Sequence, residues 1–452
     1  MKKILLGLIA LIVVVVAVCF FLRNSVSSKI EAKIEELKAN GFNVTYNEKF
    51  VPLKIVGDGQ IEVVDSSKVT QYMVQSQKGE AKKALERLID NEKLFFPDVD
   101  LSKLILEGAV FDYDFSLTLL TANLDLNFYL TKFSTKMMED LPKTFDDMLK
   151  NRDFHVNIDE DYNYKIKDIN IVAPDNEAKF SLLGMTGNKT VFDMESFKFD
   201  VPKDKFSLSL YGIKTSYEEQ ANKTIDSSFD IKTIQFGDEK AQLDISGLKS
   251  SSSQKILNDL LDGNTKISID LLSFKNNLTN VNLKDTSFGL GIDKLPMKKY
   301  EEFIDSYYNV SEDINKEMHN KLKELLKEIA QNGSEIKIDA NSKNLNFLGQ
   351  DWFEEIDLKS NITFSSKLGD MQFQTIDDVV KTVNIDLKID SKSAQNISNI
   401  IGLSRMGIDL VDSDDKKFKV LKAQLKEDGV YANDVLILPK AMLQIPQGME
   451  IK

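Results

Sequence analysis

His155 and His319 are the only imidazoles in the chain, and the single cysteine, Cys19, falls inside an apolar run. Acid–base or nucleophilic chemistry that needs histidine must therefore pass through one of two residues. Neither stands in an HExxH or any paired spacing, so a zinc site would lack ligands. His155 lies among strand-like residues and His319 flanks the apolar stripe of a helix, and both read as structural. Ser252 and Lys255 match SxxK, the serine–lysine spacing of penicillin-recognising enzymes, but the companion SDN and KTG motifs are missing. A run of serines before a helix is better explained by capping, because hydroxyls accept from the first free amides. Asp159, Asp161 and Asn163 imitate the first ligands of a calcium loop. Tyr164 replaces its turn glycine and Asn170 its bidentate glutamate, which leaves a solvated turn. Asp412, Asp414 and Asp415 read as a charged turn. Paired carboxylates for glycoside hydrolysis are available by residue type, although Trp352 alone is a thin supply of aromatic platform. No catalytic, metal-binding or cofactor-binding residue is assigned on this basis, and no cofactor is expected.

Those residues must be held by strands more than by helices. Over much of the chain apolar and polar residues alternate with period two, as in strands with one buried and one wet face. Phe206, Leu208 and Leu210 face one way, and the same reading fits Leu243 with Ile245, Ile267 with Ile269, and Phe288 with Leu290 and Ile292. It continues through Ile336 with Ile338, Ile362 with Phe364, and Val383 with Ile385, Leu387 and Ile389. Such alternation indicates antiparallel sheet. Phase slips after Ile231 and Val420 point to bulges. Helical spacing appears at Ser28 to Asn40, closed by Gly41, and again from a cap at Asp65 or Ser66 through Val69 and Met73 toward Leu88. Further helices are expected at Thr131 to Leu149 with a break at Pro142, at Ser253 to Leu261, at Pro296 to Gln331 and at Ser391 to Leu403. The clearest stripe is Ile314, Met318, Leu322, Leu325, Leu326 and Ile329. Three times an alternating strand runs directly into a helix, from Leu124, from Phe288 and from Val383.

Ile4 to Leu22 is an unbroken run of 19 apolar residues preceded by Lys2 and Lys3. As a helix it would be about 28 Å long, close to the roughly 30 Å hydrocarbon core of a bilayer. With no small-residue cleavage site after it, the segment reads as an uncleaved signal anchor. The chain as a whole is acidic, with 58 Lys and Arg against 71 Asp and Glu, and has no basic cluster for phosphates, which argues against nucleic acid. The lack of cysteine beyond the anchor fits export and excludes disulfide staples.

The anchor, the KIEAKIEEL helix, the NVTYNEKF strand, the stretch from AKFSLLGMTGNKT to YGIKTSYE and the terminal DGVYANDVLILPKAMLQIP run together resemble the YdgA-like family of bacterial inner-membrane-anchored proteins. The defining domain of that family has no assigned function, and no functional residues come with the resemblance. A looser likeness to AsmA-like envelope proteins, associated with lipid movement, is one of architecture alone. The expected fold is α+β: an N-terminal transmembrane helix, then an elongated, mainly antiparallel curved β-sheet ectodomain with several packing helices. Residues 1–23 form the anchor and 24–452 a periplasmic ectodomain subdivided near 174 and 332. The expected location is the bacterial inner membrane, single-pass, and the partners are that membrane through residues 4–22 and a lipid or an envelope protein. The expected function is non-enzymatic presentation of a large β-sheet surface or groove to an apolar, lipid-like ligand or a protein. The alternative is an exported hydrolase using carboxylate or Ser–Lys chemistry.

Overall fold

The computed structural model describes residues 28–51, 54–76, 82, 86, 89, 100–118, 121, 123–140, 144–173, 177–308, 314–371, 373–400, 402–403, 408–414 and 416–444. The chain divides into two compact units, Met1–Pro202 and Lys203–Lys452. Strand makes up 57% and helix 24% of the structure. This corrects the expected α+β class with a transmembrane helix: the period-two segments dominate, and the fold is mainly antiparallel β. No helix among the described residues is long and apolar enough to cross a membrane. The longest, Ile314–Asn332, carries lysines and glutamates through its whole length, so only one stripe of it can be buried. The expected single-pass inner-membrane placement, with its anchor and periplasmic body, is corrected accordingly; the Ile4 to Leu22 segment lies outside the described residues.

In the first unit, a helix over 28–39 ends at Gly41, whose φ of +91° favours glycine. The strands β1 (Phe42–Val51), β2 (Lys54–Val63), β3 (Val110–Thr118), β4 (Leu124–Lys132), β5 (His155–Asp159) and β6 (Tyr164–Ile166) each pair antiparallel with the next. β6 and β7 (Ile169–Val172) then pair with β9 (Thr186–Gly187) and β8 (Lys179–Leu183) respectively, and β10 (Val191–Val201) runs along both β8 and β9. The register puts Phe111, Tyr113 and Phe115 opposite Leu130, Phe128 and Leu126, so one face is apolar. Ile55 and Phe115 are buried there, with Ile30 of the first helix packed against them. Asp65 caps helix Ser66–Ser76 by accepting from Lys68 N at 3.0 Å. The helix expected from Thr131 to Leu149 is two short ones, Thr135–Asp140 and Thr144–Lys150, because β4 extends through Lys132.

The second unit is a meander of its own. Strands β11 (Phe206–Glu219), β12 (Thr224–Gly237), β13 (Ala241–Leu257), β14 (Leu260–Asn276), β15 (Asn280–Pro296), β16 (Glu335–Phe347), β17 (Gln350–Phe364) and β18 (Val380–Asp390) pair in chain order. β18 pairs with β20 (Phe418–Lys426), which also takes the short β19 (Val411–Asp412), and β21 (Gly429–Ala432) and β22 (Val435–Pro439) follow. The slip expected after Ile231 does not occur: pairing skips Lys232 together with the facing glycines Gly212 and Gly247, whose φ are +62° and +64°, and resumes in the same register. A Cβ at Gly212 would press on the Lys232 side chain, so the irregularity needs glycine. At Val420 no slip occurs, because β18 and β20 pair without a shift. The helix expected over Ser253 to Leu261 is instead the β13–β14 hairpin. Asn258 and Asp259 both have positive φ, 53° and 62°, the two-residue turn that matches strand twist. Helices Met297–Tyr308 and Ile314–Asn332 are joined by Lys299, whose ammonium meets Glu302 at 3.0 Å and Glu324 at 2.7 Å.

Candidate functional site

Period two and the strand register together build one continuous row across the second unit. From β12 to β20 the facing residues are Phe229, Ser250, Ile267, Phe288, Ala340, Leu358, Leu387 and Leu421. None is charged. At its far end the row is closed: Leu387 and Leu421 are 8% and 6% exposed, packed with Phe353 and Ile389 against Ala394 and Ile397 of helix Ala394–Ile400 and against Leu403 and Ile408. Near its start the row is open, with Phe288 46% and Ile267 43% exposed; Phe229 and, one step along β15, Leu290 are exposed as well. Covering what is still exposed, less than half of each side chain, would contribute roughly 1 kcal/mol apiece. An uncharged, solvent-facing strip that is apolar except for the Ser250 hydroxyl can hold a hydrocarbon surface.

The cover at the closed end depends on a carboxylate. Asp390, the last residue of β18, accepts from Glu354 N at 2.9 Å and Glu355 N at 3.3 Å, and from Ser393 N at 3.0 Å and Ser393 Oγ at 2.9 Å. Burial pushes this carboxyl upward, but the hydrogen bonds outweigh it and hold the pKa below the ordinary aspartate value. Ionised Asp390 thus ties the start of helix Ala394–Ile400 to β17.

The residues singled out for chemistry are scattered. His155, on β5, stacks on Tyr129 with centroids 4.6 Å apart and places Nε2 2.9 Å from Asn127 Oδ1. Asn127 Nδ2 donates to Asp114 Oδ1 at 3.0 Å, so its Oδ1 is the acceptor and His155 Nε2–H the donor. Burial lowers the His155 pKa, which favours the neutral ring. Arg152 covers the Tyr129 ring at 4.3 Å. This polar cluster was not read from the sequence; the signal available was parity, since Asp114, Asn127, Tyr129 and His155 all fall on the wet face of their strands. His319 is half-buried on helix Ile314–Asn332.

Ser252 and Lys255 lie three residues apart on β13, so they point to opposite faces and cannot form a dyad. Ser252 Oγ accepts from Thr265 Oγ1 at 3.1 Å across the hairpin. The Asp159 carboxylate is taken up by its own turn, accepting from Asp161 N, Asn163 N and Asn163 Nδ2 at 2.9, 2.9 and 2.8 Å. Asp412 pairs with Lys419 at 2.8 Å, and Asp415 lies outside the described residues. Among the described residues no group of three His, Cys, Asp or Glu side chains is placed to hold a metal ion.

Compared with known proteins, the chain matches no family model, no curated protein and no solved structure.

Proposed function

We propose that the protein works by binding and not by catalysis, presenting the apolar face of its antiparallel sheet to a lipid-like ligand. The observation that carries this reading is the open strip of Phe229, Ile267, Phe288 and Leu290 in a row whose other end is closed. Isolated exposed apolar residues are common on proteins and need no account, whereas a contiguous uncharged strip marks a surface that meets something. Hydrocarbon suits it because the row carries no charge and a single hydroxyl, Ser250, between Phe229 and Ile267. The hydrolase alternative has weaker support, since its Ser–Lys pair is split between two faces and the perturbed carboxyls Asp378 and Asp390 are held low by structural hydrogen bonds.

Native mass spectrometry of the purified chain tests the reading. Retained phospholipid or fatty acid, and uptake of added labelled phospholipid by stripped protein, are the expected results. A chain that emerges free of lipid and takes up none overturns it.

A further inference from the structure

In the first unit, the apolar face of β3–β7 does not close either, and there it forms a hollow. Phe111 from β3, Phe128 and Leu130 from β4, Val156 from β5, Ile166 from β6 and Ile169 from β7 surround a cavity of about 440 Å³. Phe154 stands at one side, held edge-on to Phe133 at 5.2 Å, which in turn meets Phe145 edge-on at 5.7 Å. This wall is therefore fixed. Helix Thr144–Lys150 buries Met148 and Leu149, yet every apolar residue around the hollow stays half-exposed. Well-packed interiors leave few voids larger than a water molecule, whereas sites for small ligands span about 300–1,000 Å³. His155 borders the hollow too, but its ring is turned to the other face of the sheet by Asn127 and Tyr129. What the hollow offers is carbon: aromatic walls, aliphatic floor and, among the described residues, no charged side chain in its lining.

We infer that this hollow is a second binding site, which seats the end of a fatty acyl chain. The uncharged lining complements a hydrocarbon terminus and would strip the hydration from any carboxylate or phosphate without replacing it. The volume and the fixed aromatic wall distinguish it from the open strip of the other unit, where nothing encloses a ligand. The site rests on its own observation and shares only the ligand class with the proposed function.

Palmitate carrying a terminal diazirine, supplied to the full chain either free or esterified in phosphatidylcholine vesicles, tests the assignment when the adducts are mapped by peptide mass spectrometry. Adducts on the segments around Phe128 to Leu130 and Val156 to Ile166 are expected. Labelling from the free acid alone assigns a fatty acid, and labelling from the ester assigns a lipid. Filling the hollow with Val156→Phe, or with Ile166→Phe should the first variant fold poorly, should lower labelling there at least tenfold while adducts near Phe288 persist. Absence of adducts from residues 111–169, or labelling there that ignores both filling substitutions, overturns the inference. Adducts in the hollow and none near Phe288 would sustain it while removing the open strip from the proposed function.

Discussion

Leu387 and Phe288 stand in one cross-strand row, on one face, in strands of the same composition, and they differ in cover. Each strand runs straight into a helix, as the alternating pattern followed by helical spacing led us to expect. After β18, the Asp390 carboxylate gathers amides from β17 and from the first turn that follows, and helix Ala394–Ile400 lies over Leu387. After β15 the helix Met297–Tyr308 is tied by Lys299 to helix Ile314–Asn332, and Phe288 stays exposed. The same strand-to-helix layout therefore closes one region and leaves the other open. What the closed region has is a helix held by Asp390 at the end of its strand and packed over a residue three positions before that end.

The largest effect should separate the two ends of the row. Leu387→Ala removes a buried side chain from a packed cluster, and a loss of about 2–5 kcal/mol in unfolding free energy is expected in urea titrations. A cost below about 1 kcal/mol would mean the closed end is loosely packed, and the contrast with Phe288 would collapse.

Next comes Asp390→Ala. It leaves the Glu354 and Glu355 amides and the Ser393 donors without their acceptor, which costs roughly 1–3 kcal/mol for each group left buried and unsatisfied. Hydrogen exchange should show Ala394 and Ile397 opening before the strands do. If the helix keeps its protection, apolar packing alone holds the cover and the Asp390 carboxylate does not tie it down.

These contrasts were only partly legible in the sequence. Period two revealed the strands at Phe206, Phe288, Ile336 and Val383, because an alternating pattern leaves few alternatives to a half-buried sheet. The stripe from Ile314 to Ile329 gave its helix for the same reason. The Ser253 to Leu261 segment misled, since Leu257, Leu260 and Leu261 fit helical spacing while two left-handed residues, Asn258 and Asp259, make the turn. Which apolar residues stay open could not be read, because cover is a long-range outcome: Phe288 and Leu387 have the same local pattern. The partners of His155 were hidden likewise, as Asn127 reaches it only through the β4–β5 register.

Acid should weaken the second unit through two carboxyls, one just before β18 and one at its end. Hydrogen bonds from Thr375 N and Gln374 N, with Lys367 beside them, outweigh burial and hold the Asp378 carboxyl down at about 2, against an ordinary value of 3.8. A carboxyl depressed in the folded state stabilises above its unfolded value, and that stability is lost as pH falls through the folded one. Asp390 is shifted in the same direction. Unfolding free energy should therefore fall between about pH 4 and 2, and Asp378→Asn should flatten the decline. A profile unchanged by that substitution would show that other carboxyls govern the acid limb.

The smallest effect is also the sharpest. Phe288→Ser removes a large apolar side chain from a strand, a change that in a covered row would rank with the most damaging. Here the ring is 46% exposed, so only its covered half is lost, and a cost of about 1–1.5 kcal/mol in stability is expected. Its other consequence should fall on the ligand. Loss of the exposed part of the ring, a contact surface worth roughly 1 kcal/mol, corresponds to about a fivefold loss of affinity for a bound acyl chain. Calorimetric unfolding measures the first quantity and labelled-lipid titration the second. Two results from one variant bear on the whole comparison: a larger loss of stability would mean the strip is part of a closed core, and the expected stability with unchanged lipid affinity would mean the strip is open but unused.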